Sequence, residues 1–255
     1  HSIRRRQRQM CIRDRNRIAV IGCGFVGGTI ADALENAGND IVRIDPKYND
    51  NKLEHFIDKI DGAVICLPTP TIHGQQNLTL IDTTVVALKN VRTLIKSTIL
   101  PNMLEVYEEN VVYSPEFLRE AHAKKDFENN QHVLWGGLRS EADWWIDRFD
   151  CHKKTNIIMD KKSASTIKYV YNCWLATKVA FFHELYSKLD KTYNYHMIIN
   201  TLADFDNIGP SHMRVKELGY DGNCFPKDME AFAEFLDSDI LKNVIEVNKS
   251  LVASR

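Results

Sequence analysis

Short apolar runs alternate with segments of helical periodicity along the first 160 residues of the chain. The runs are residues 17–21, 41–44, 63–67, 91–95 and 111–113. After the first run, Ile30, Ala33 and Leu34 recur at the spacing of an amphipathic helix, which Gly38 closes. Buried strands that alternate with helices are typical of a parallel sheet. The pattern therefore predicts an α/β fold.

The second part of the chain has a helical pattern. From residue 163 to 189, apolar residues recur every three or four positions, which predicts one long amphipathic helix. Shorter helical segments follow at 197–203 and 229–236. We therefore expect an α/β domain at residues 17–160, followed by an α-helical central domain at 161–255.

A glycine motif, GCGFVG at 22–27, stands between the first strand and its helix. Gly22 permits the tight turn, Gly24 lets the backbone approach a pyrophosphate, and Gly27 allows close packing of helix on strand. The pyrophosphate would rest on the helix N-terminus. The residues predicted to bind a cofactor here are Gly22, Gly24, Phe25, Val26 and Gly27. In this context the motif predicts a Rossmann-like, dinucleotide-binding domain, against the alternative of a glycine-rich turn that binds nothing.

Asp45 follows the second strand, eighteen residues beyond the last glycine of the motif. At this position a carboxylate would accept hydrogen bonds from both ribose hydroxyls and would repel a 2′-phosphate. The predicted cofactor is therefore NAD rather than NADP.

Three further predicted strands end in polar segments, PTPT at 68–71, KST at 96–98 and SPE at 114–116. Turn formation alone could explain any one of them. The carboxyl ends of parallel strands meet at the sheet edge where ligands bind. Three such ends in series therefore favour a binding site at this edge.

Cys224 follows a glycine-containing turn and has Lys227 and Asp228 close behind it. This arrangement is typical of an exposed thiol used as a nucleophile. The six cysteines contain no CxxC pair and no His/Cys cluster of zinc spacing, so we expect no metal site. Cys23 and Cys66 are predicted to be reduced core thiols. Beside a predicted NAD site, Cys224 suggests covalent oxidation of an aldehyde.

Over about residues 17–255 the chain resembles the UDP-glucose/GDP-mannose dehydrogenase family. The resemblance rests on GCGFVG at 22–27, PTPT at 68–71, KST at 96–98, SPEFLRE at 114–120, the Lys168/Asn172 pair and GNCFPKD at 222–228. The last block favours the branch that acts on UDP-glucose. A GDP-mannose or UDP-N-acetylhexosamine 6-dehydrogenase stays open, as does a non-catalytic NAD-binding or oligomerisation module. The presence of Cys224, Lys168, Asn172 and Asp228 counts against the last of these.

The resemblance implies oxidation of a nucleotide-sugar C6 alcohol to the carboxylate with two NAD⁺, through a thiohemiacetal and a thioester on Cys224. It implies that Lys168 and Asn172 stabilise oxyanion charge, and that Asp228 works with Lys168 to position and deprotonate a water or the C6 hydroxyl. The long helix would pair with its twin in a homodimer.

The resemblance assigns further residues to the same site. Glu116 is the expected general base for thioester hydrolysis, and Glu120 and Thr98 would shape the pocket for water and nicotinamide. Thr69, Thr98 and Lys227 match positions on the cofactor side. Members of the family carry a further C-terminal domain that completes the nucleotide-sugar site. We therefore expect this chain alone to bind NAD and to oxidise sugar weakly or not at all.

Charge is unevenly distributed along the chain. Seven of its fourteen arginines lie in the first 17 residues, opposed there only by Asp14, although the net charge is −1. We expect residues 1–16 to be a non-native or disordered leader. The acidic remainder disfavours nucleic-acid binding. No apolar stretch reaches the ~20 residues that span a bilayer, and no signal-peptide core is present, so a cytoplasmic protein is expected.

Overall fold

The computed structural model describes residues 15–72 and 74–255, which form two compact units. The first unit holds the described residues up to Thr69 together with Leu78–Lys168. The second holds Pro70–Asn77 and Tyr169–Arg255. The division falls inside one long helix, after Lys168, whereas the sequence pattern placed the domain boundary between residues 160 and 161. The predicted leader, residues 1–16, lies almost entirely outside the described residues.

A seven-stranded sheet is the centre of the first unit. Its strands are β1 (Arg17–Ile21), β2 (Asp40–Ile44), β3 (Gly62–Ile65), β6 (Arg92–Ile95), β7 (Val111–Tyr113), β8 (His132–Gly136) and β9 (Thr155–Met159). Their order is β2-β1-β3-β6-β7-β8-β9, and every neighbouring pair is parallel except β7 with β8. The predicted α/β fold is confirmed. The five predicted strands are present, and β8 and β9 are additional.

Helices accompany this sheet, and apolar side chains pack on both of its faces. The helices are α1 (Phe25–Asn36), α2 (Thr79–Ala87), α3 (Ala123–Asn129) and α4 (Arg139–Arg148), with short 3₁₀ turns at Leu53–His55, Ile57–Lys59, Pro101–Leu104 and Glu120–His122. Successive residues of β1 enter different clusters, Ala19 in one and Val20 in the other. Because successive side chains of a strand point to opposite faces, the sheet has two cores. Both cores hold the strand ends in fixed positions.

The second unit is mainly helical. It contains most of the long helix α5 (Lys161–Lys188), then α6 (Tyr195–Ala203), α7 (Phe225–Leu236) and α8 (Asp239–Ala253). A short hairpin, β4 (Thr71–Ile72) with β5 (Gln75–Gln76), belongs to the same unit. The predicted long helix is confirmed with nearly the expected bounds. None of the described helices combines the length and apolar character needed to cross a membrane.

Candidate active site

The turn after β1 has the close packing that its glycines predict. Gly22 has a φ of +85°, and a Cβ there would lie 2.6 Å from the carbonyl oxygen of Cys66. A Cβ on Gly27 would lie 1.8 Å from the carbonyl oxygen of Gly22. Neither position can accept a side chain without moving the backbone. At Gly24, by contrast, a Cβ would meet no heavy atom of the described chain within 4 Å. Gly24 therefore leaves open space at the turn.

Helix α1 begins at this turn without a side-chain cap. Gly24 is the N-cap and supplies no side-chain cap, and the described first turn contains no acidic residue. Phe25 is exposed and Val26 is half-buried. Backbone N–H groups at such a helix start bind phosphate readily. The open space and the uncapped helix start together fit a pyrophosphate.

Asp45 lies directly after β2 and holds the glycine turn. Its carboxylate accepts hydrogen bonds from the backbone N–H of Cys23 at 2.7 Å and of Lys47 at 2.9 Å. Each carboxylate oxygen has two acceptor sites, so these bonds leave capacity for ribose hydroxyls. The residues of this turn fit a dinucleotide cofactor, with Gly24, Phe25 and Val26 at the phosphates and Asp45 at a ribose.

The ends of β3 and β6 are joined by side-chain bonds. The Thr69 hydroxyl donates to the carbonyl oxygen of Thr98 at 2.9 Å, and the Ser97 hydroxyl donates to that of Leu67 at 2.6 Å. Thr69 is buried and Thr98 is half-buried. The structure therefore brings together Thr69 and Thr98, which the sequence analysis assigned to the cofactor side.

Glu116 is ion-paired with Lys96, the first residue of the KST motif, for which no role was predicted. The Lys96 side chain is only 2% exposed. Its ammonium also lies 2.9 Å from the Ser114 hydroxyl and 5.6 Å from the centre of the Trp135 ring. A buried ammonium requires such partners, since an unpaired charge in the core is costly. A lysine at the end of an apolar strand was the signal that could have identified this pair.

Glu116 and Glu120 do not lie on one helix, although they are four residues apart. Glu116 lies in the segment between β7 and the 3₁₀ turn, whereas Glu120 is exposed and begins that turn. The spacing alone therefore does not make them a pair.

In the second unit, Cys224 is exposed at the N-cap of α7. Its carbonyl oxygen accepts the backbone N–H of Asp228 at 3.1 Å, which closes the first turn of the helix. The thiol is therefore accessible to a substrate at the start of α7.

The carboxylate of Asp228, one turn into α7, is 1% exposed. It accepts hydrogen bonds from Asn172 Nδ2 at 2.6 Å and from Lys227 Nζ at 2.5 Å. Lys227, which the resemblance predicts on the cofactor side, forms an ion pair with Asp228 in the second unit. The structure thus joins Asn172, Asp228 and Lys227, three residues that the sequence analysis singled out.

Lys168 lies four residues before Asn172 on α5 and is buried. Its Nζ is 5.1 Å from the centre of the Phe117 ring, within reach of a cation–π contact. Positions four apart lie on one face of a helix. Lys168 and Asn172 therefore share a face of α5.

The other described cysteines differ from Cys224. Cys23 and Cys66 are half-buried, and Cys151 and Cys173 are buried. Burial raises the pKa of the Cys66 thiol, and it raises the pKa of Cys173 to about 12. These thiols are protonated at neutral pH and so are poor nucleophiles. In the part of the chain that the structure describes, no cluster of His, Cys, Asp or Glu could hold a metal ion.

Comparison with known proteins matches the two parts of the chain separately. The family model described as "UDP-glucose/GDP-mannose dehydrogenase family, central domain" matches residues 162–250. The resemblance predicted from the motifs is confirmed. The model described as "Ketopantoate reductase PanE/ApbA" matches residues 18–134, which contain the glycine turn. The chain is therefore similar to a reductase over its first part and to the central domain of this dehydrogenase family over its second part.

Curated relatives and solved structures agree with this placement. The chain is 27% identical to a UDP-glucose 6-dehydrogenase of Campylobacter jejuni over 91% of this chain and 72% of the relative. It is 30% identical to UDP-glucose 6-dehydrogenase YwqF of Bacillus subtilis over 66% of this chain and 41% of the relative. A UDP-glucose dehydrogenase structure from Pyrobaculum islandicum aligns with a TM-score of 0.82 at 22% identity, covering 92% of this chain and 68% of that one. The Rossmann-like fold with a helical central domain is confirmed.

Proposed function

We propose that the chain is an NAD-dependent nucleotide-sugar 6-dehydrogenase that oxidises UDP-glucose to UDP-glucuronate. The comparisons support a dehydrogenase of the nucleotide-sugar family and a nicotinamide cofactor. The observation that carries the proposal is the exposed Cys224 at the start of α7, one turn before the buried Asp228 with its Asn172 and Lys227 partners. The Cys224 thiol, the Asp228 carboxylate and the Lys227 ammonium thus lie at the first turn of α7. The Asn172 amide, on α5, contacts the same turn.

The proposed chemistry begins with transfer of the C6 hydroxyl proton, through a water positioned by Asp228 and Lys168, to the Asp228 carboxylate. Bound NAD⁺ would accept one hydride in each of the two oxidations. The Cys224 thiolate adds to the C6 aldehyde, and the resulting thiohemiacetal becomes a thioester when C6 loses its second hydride. Water then cleaves the thioester, which releases the carboxylate and a proton and restores the thiol.

Asn172 and Lys168 are the proposed donors to the oxygen on C6, where negative charge develops when the thiol adds and again when the thioester is cleaved. The bond from Asn172 to Asp228 fixes the direction of the amide. A donor held in advance loses no binding energy to reorganisation during the reaction. Asp228 would therefore act both on water and as the group that orients Asn172.

Glu116 is the proposed base for thioester hydrolysis. The ion pair with the buried Lys96 fixes the position of the Glu116 carboxylate. Glu120 and Thr98 are proposed to shape the pocket for water and nicotinamide, as the family resemblance implies. Thr69, bonded to the Thr98 carbonyl, supports that segment.

The proposed partner of this chain is a second copy, paired along α5. Ile167, Val170, Trp174 and Phe181 on this helix are between 41% and 62% exposed. Apolar side chains recurring on one helix face are typical of a surface that another helix covers. A homodimer through α5 would bury them.

Formation of NADH with UDP-glucose, GDP-mannose or UDP-N-acetylmannosamine as substrate tests the proposed specificity. The purified chain is mixed with NAD⁺ and each sugar in turn, and absorbance at 340 nm is recorded. We expect the largest kcat/KM with UDP-glucose. A larger kcat/KM with either other sugar would contradict the specificity. Because this chain alone is expected to oxidise sugar weakly or not at all, NAD⁺ binding without NADH would agree with that expectation, whereas a chain that binds no NAD⁺ would contradict the proposed activity.

A further inference from the structure

Asn248, in α8, holds the backbone of a residue in a long irregular segment. Its side chain is 8% exposed. Its Oδ1 accepts the backbone N–H of Tyr220 at 2.7 Å, and its Nδ2 donates to the Tyr220 carbonyl oxygen at 2.9 Å. Residues 204–224 form no helix or strand, so Tyr220 has no ladder of backbone bonds to satisfy these two groups. The buried amide of Asn248 therefore satisfies both the backbone N–H and the C=O of Tyr220, as a neighbouring strand would.

The residues next to Tyr220 permit and reinforce its contact with Asn248. Gly219 has a φ of +72°, and a Cβ there would lie 2.7 Å from Asn248 Oδ1, so only glycine allows the approach. On either side of Gly219 and Tyr220, Arg255 donates to the Leu218 carbonyl oxygen and pairs with Asp221, each at 2.6 Å. The segment 218–221 is therefore fastened to the C-terminal end of the chain by two side chains.

Segment 218–221 lies shortly before Cys224, the candidate nucleophile, in the chain. The Tyr220 ring meets the Phe225 ring edge-on, with ring centres 5.8 Å apart. Phe225 is the first residue of α7 and follows Cys224. The contacts therefore run from Asn248 through Tyr220 to the helix start at which Cys224 lies.

We infer that Asn248 is a positioning residue for the Cys224 thiol. The inference rests on the proposed function, in which Cys224 is the nucleophile. Without the Asn248 amide, the N–H and C=O of Tyr220 would be buried without partners, which is costly, and the segment would rearrange to reach water. The thiol would then lose its fixed place at the N-terminus of α7.

The test compares Asn248→Ala with Asn243→Ala. Asn243 lies on the same helix, is exposed and donates only to the carbonyl of Asp239 within that helix, so it controls for the loss of an asparagine. The rate of Cys224 alkylation by iodoacetamide is followed by mass spectrometry of the modified peptide. We expect Asn248→Ala to slow it roughly two- to fivefold, because the rearranged segment no longer holds the thiol in its exposed position at the start of α7. If Asn248 only stabilises segment 218–221 and does not position the thiol, its loss would leave the rate of Cys224 alkylation unchanged or raise it.

Steady-state kinetics give the second readout. We expect kcat to fall on the order of 10²-fold in Asn248→Ala, as for other small misplacements of reacting groups. The KM for NAD⁺ should not change, because the glycine turn belongs to the first unit. A folded Asn248→Ala that matches Asn243→Ala in both alkylation rate and kcat overturns the inference. If the alanine variant does not fold, the same comparison with Asn248→Asp, which keeps an acceptor for the Tyr220 N–H, decides it.

The two proposals fail in different ways. If the wild-type chain binds no NAD⁺ but Asn248→Ala still slows Cys224 alkylation, the proposed function fails and the positioning of the thiol stands. If NADH forms normally and neither readout changes in Asn248→Ala, the positioning role fails alone.

Discussion

The side-chain amide of Asn172 donates a 2.6 Å hydrogen bond to Asp228 Oδ2, which ties the long helix α5 to the first turn of α7. Both residues are buried and lie 56 positions apart in sequence. Cys224 caps the same helix, so this bond helps to hold the helix that carries the thiol. The proposed chemistry and the stability of the second unit therefore depend on the same carboxylate.

Replacing Asp228 by alanine should lower the free energy of unfolding by about 1–3 kcal/mol, because the Asn172 amide and the Lys227 ammonium lose their acceptor. Urea unfolding measures the change. Glu230→Ala, at an exposed position of the same helix, is the control and should shift the free energy of unfolding by less than about 0.5 kcal/mol. Equal unfolding midpoints for the two variants would show that the buried network does not contribute.

Two glycines of the same turn should respond differently to alanine. Gly27→Ala places a methyl 1.8 Å from the Gly22 carbonyl oxygen, so the turn must move and the melting temperature should fall by several degrees. Gly24→Ala meets no described heavy atom within 4 Å and should melt near the wild type. Its methyl would occupy the space proposed for pyrophosphate, so calorimetry should show NAD⁺ binding weakened by roughly tenfold or more. Unchanged NAD⁺ affinity in Gly24→Ala would place the cofactor elsewhere.

Asp45→Ala should weaken the preference of the chain for NAD⁺ over NADP⁺. Removing the carboxylate removes the repulsion of a 2′-phosphate and the acceptor for ribose hydroxyls. Because Asp45 also holds the turn, the informative quantity is the ratio of the Kd for NADP⁺ to the Kd for NAD⁺, which should fall by roughly tenfold. The exposed Asp50→Ala is the matched control. A ratio that stays at the wild-type value would argue against Asp45 at the ribose.

The exposed face of α5 predicts that the chain sediments as a dimer. Trp174→Glu, at a side chain that is 61% exposed, should yield a monomer, because a carboxylate would be buried at the centre of the paired helices. Val86→Glu, on α2 and even more exposed, should leave the dimer intact. Analytical ultracentrifugation at micromolar concentration distinguishes the outcomes, and a monomeric wild type would contradict the proposed partner.

Much of the fold follows from hydrophobic periodicity, since strands as short as Val111–Tyr113 still have a continuous apolar pattern and α5 repeats its pattern over many turns. β8 and β9 were missed although each contains three consecutive apolar residues, as Val111–Tyr113 does, because so short a run does not distinguish a strand from part of a buried helix.

The partners of the candidate site residues were less predictable than the residues themselves. Spacing identified Asn172 and Asp228 separately, but nothing local indicates that side chains 56 positions apart will bond. Lys227 was assigned to the cofactor side by resemblance, and its pairing with the adjacent Asp228 depends on how α7 begins. Long-range contacts of this kind are decided by tertiary packing.

The central claim is a four-electron oxidation through Cys224, and the stoichiometry of NADH tests it most directly. The chain is held in excess over UDP-glucose with saturating NAD⁺, and the reaction is followed to completion, so slow turnover does not obscure the result. Cys224→Ser is compared with Cys173→Ala, which removes a buried thiol from the same unit. We predict two NADH for each UDP-glucose in the wild type and in Cys173→Ala, and no more than one in Cys224→Ser, because the thiol takes part only in the second oxidation. One NADH per sugar in the wild type, or two in Cys224→Ser, would contradict the account.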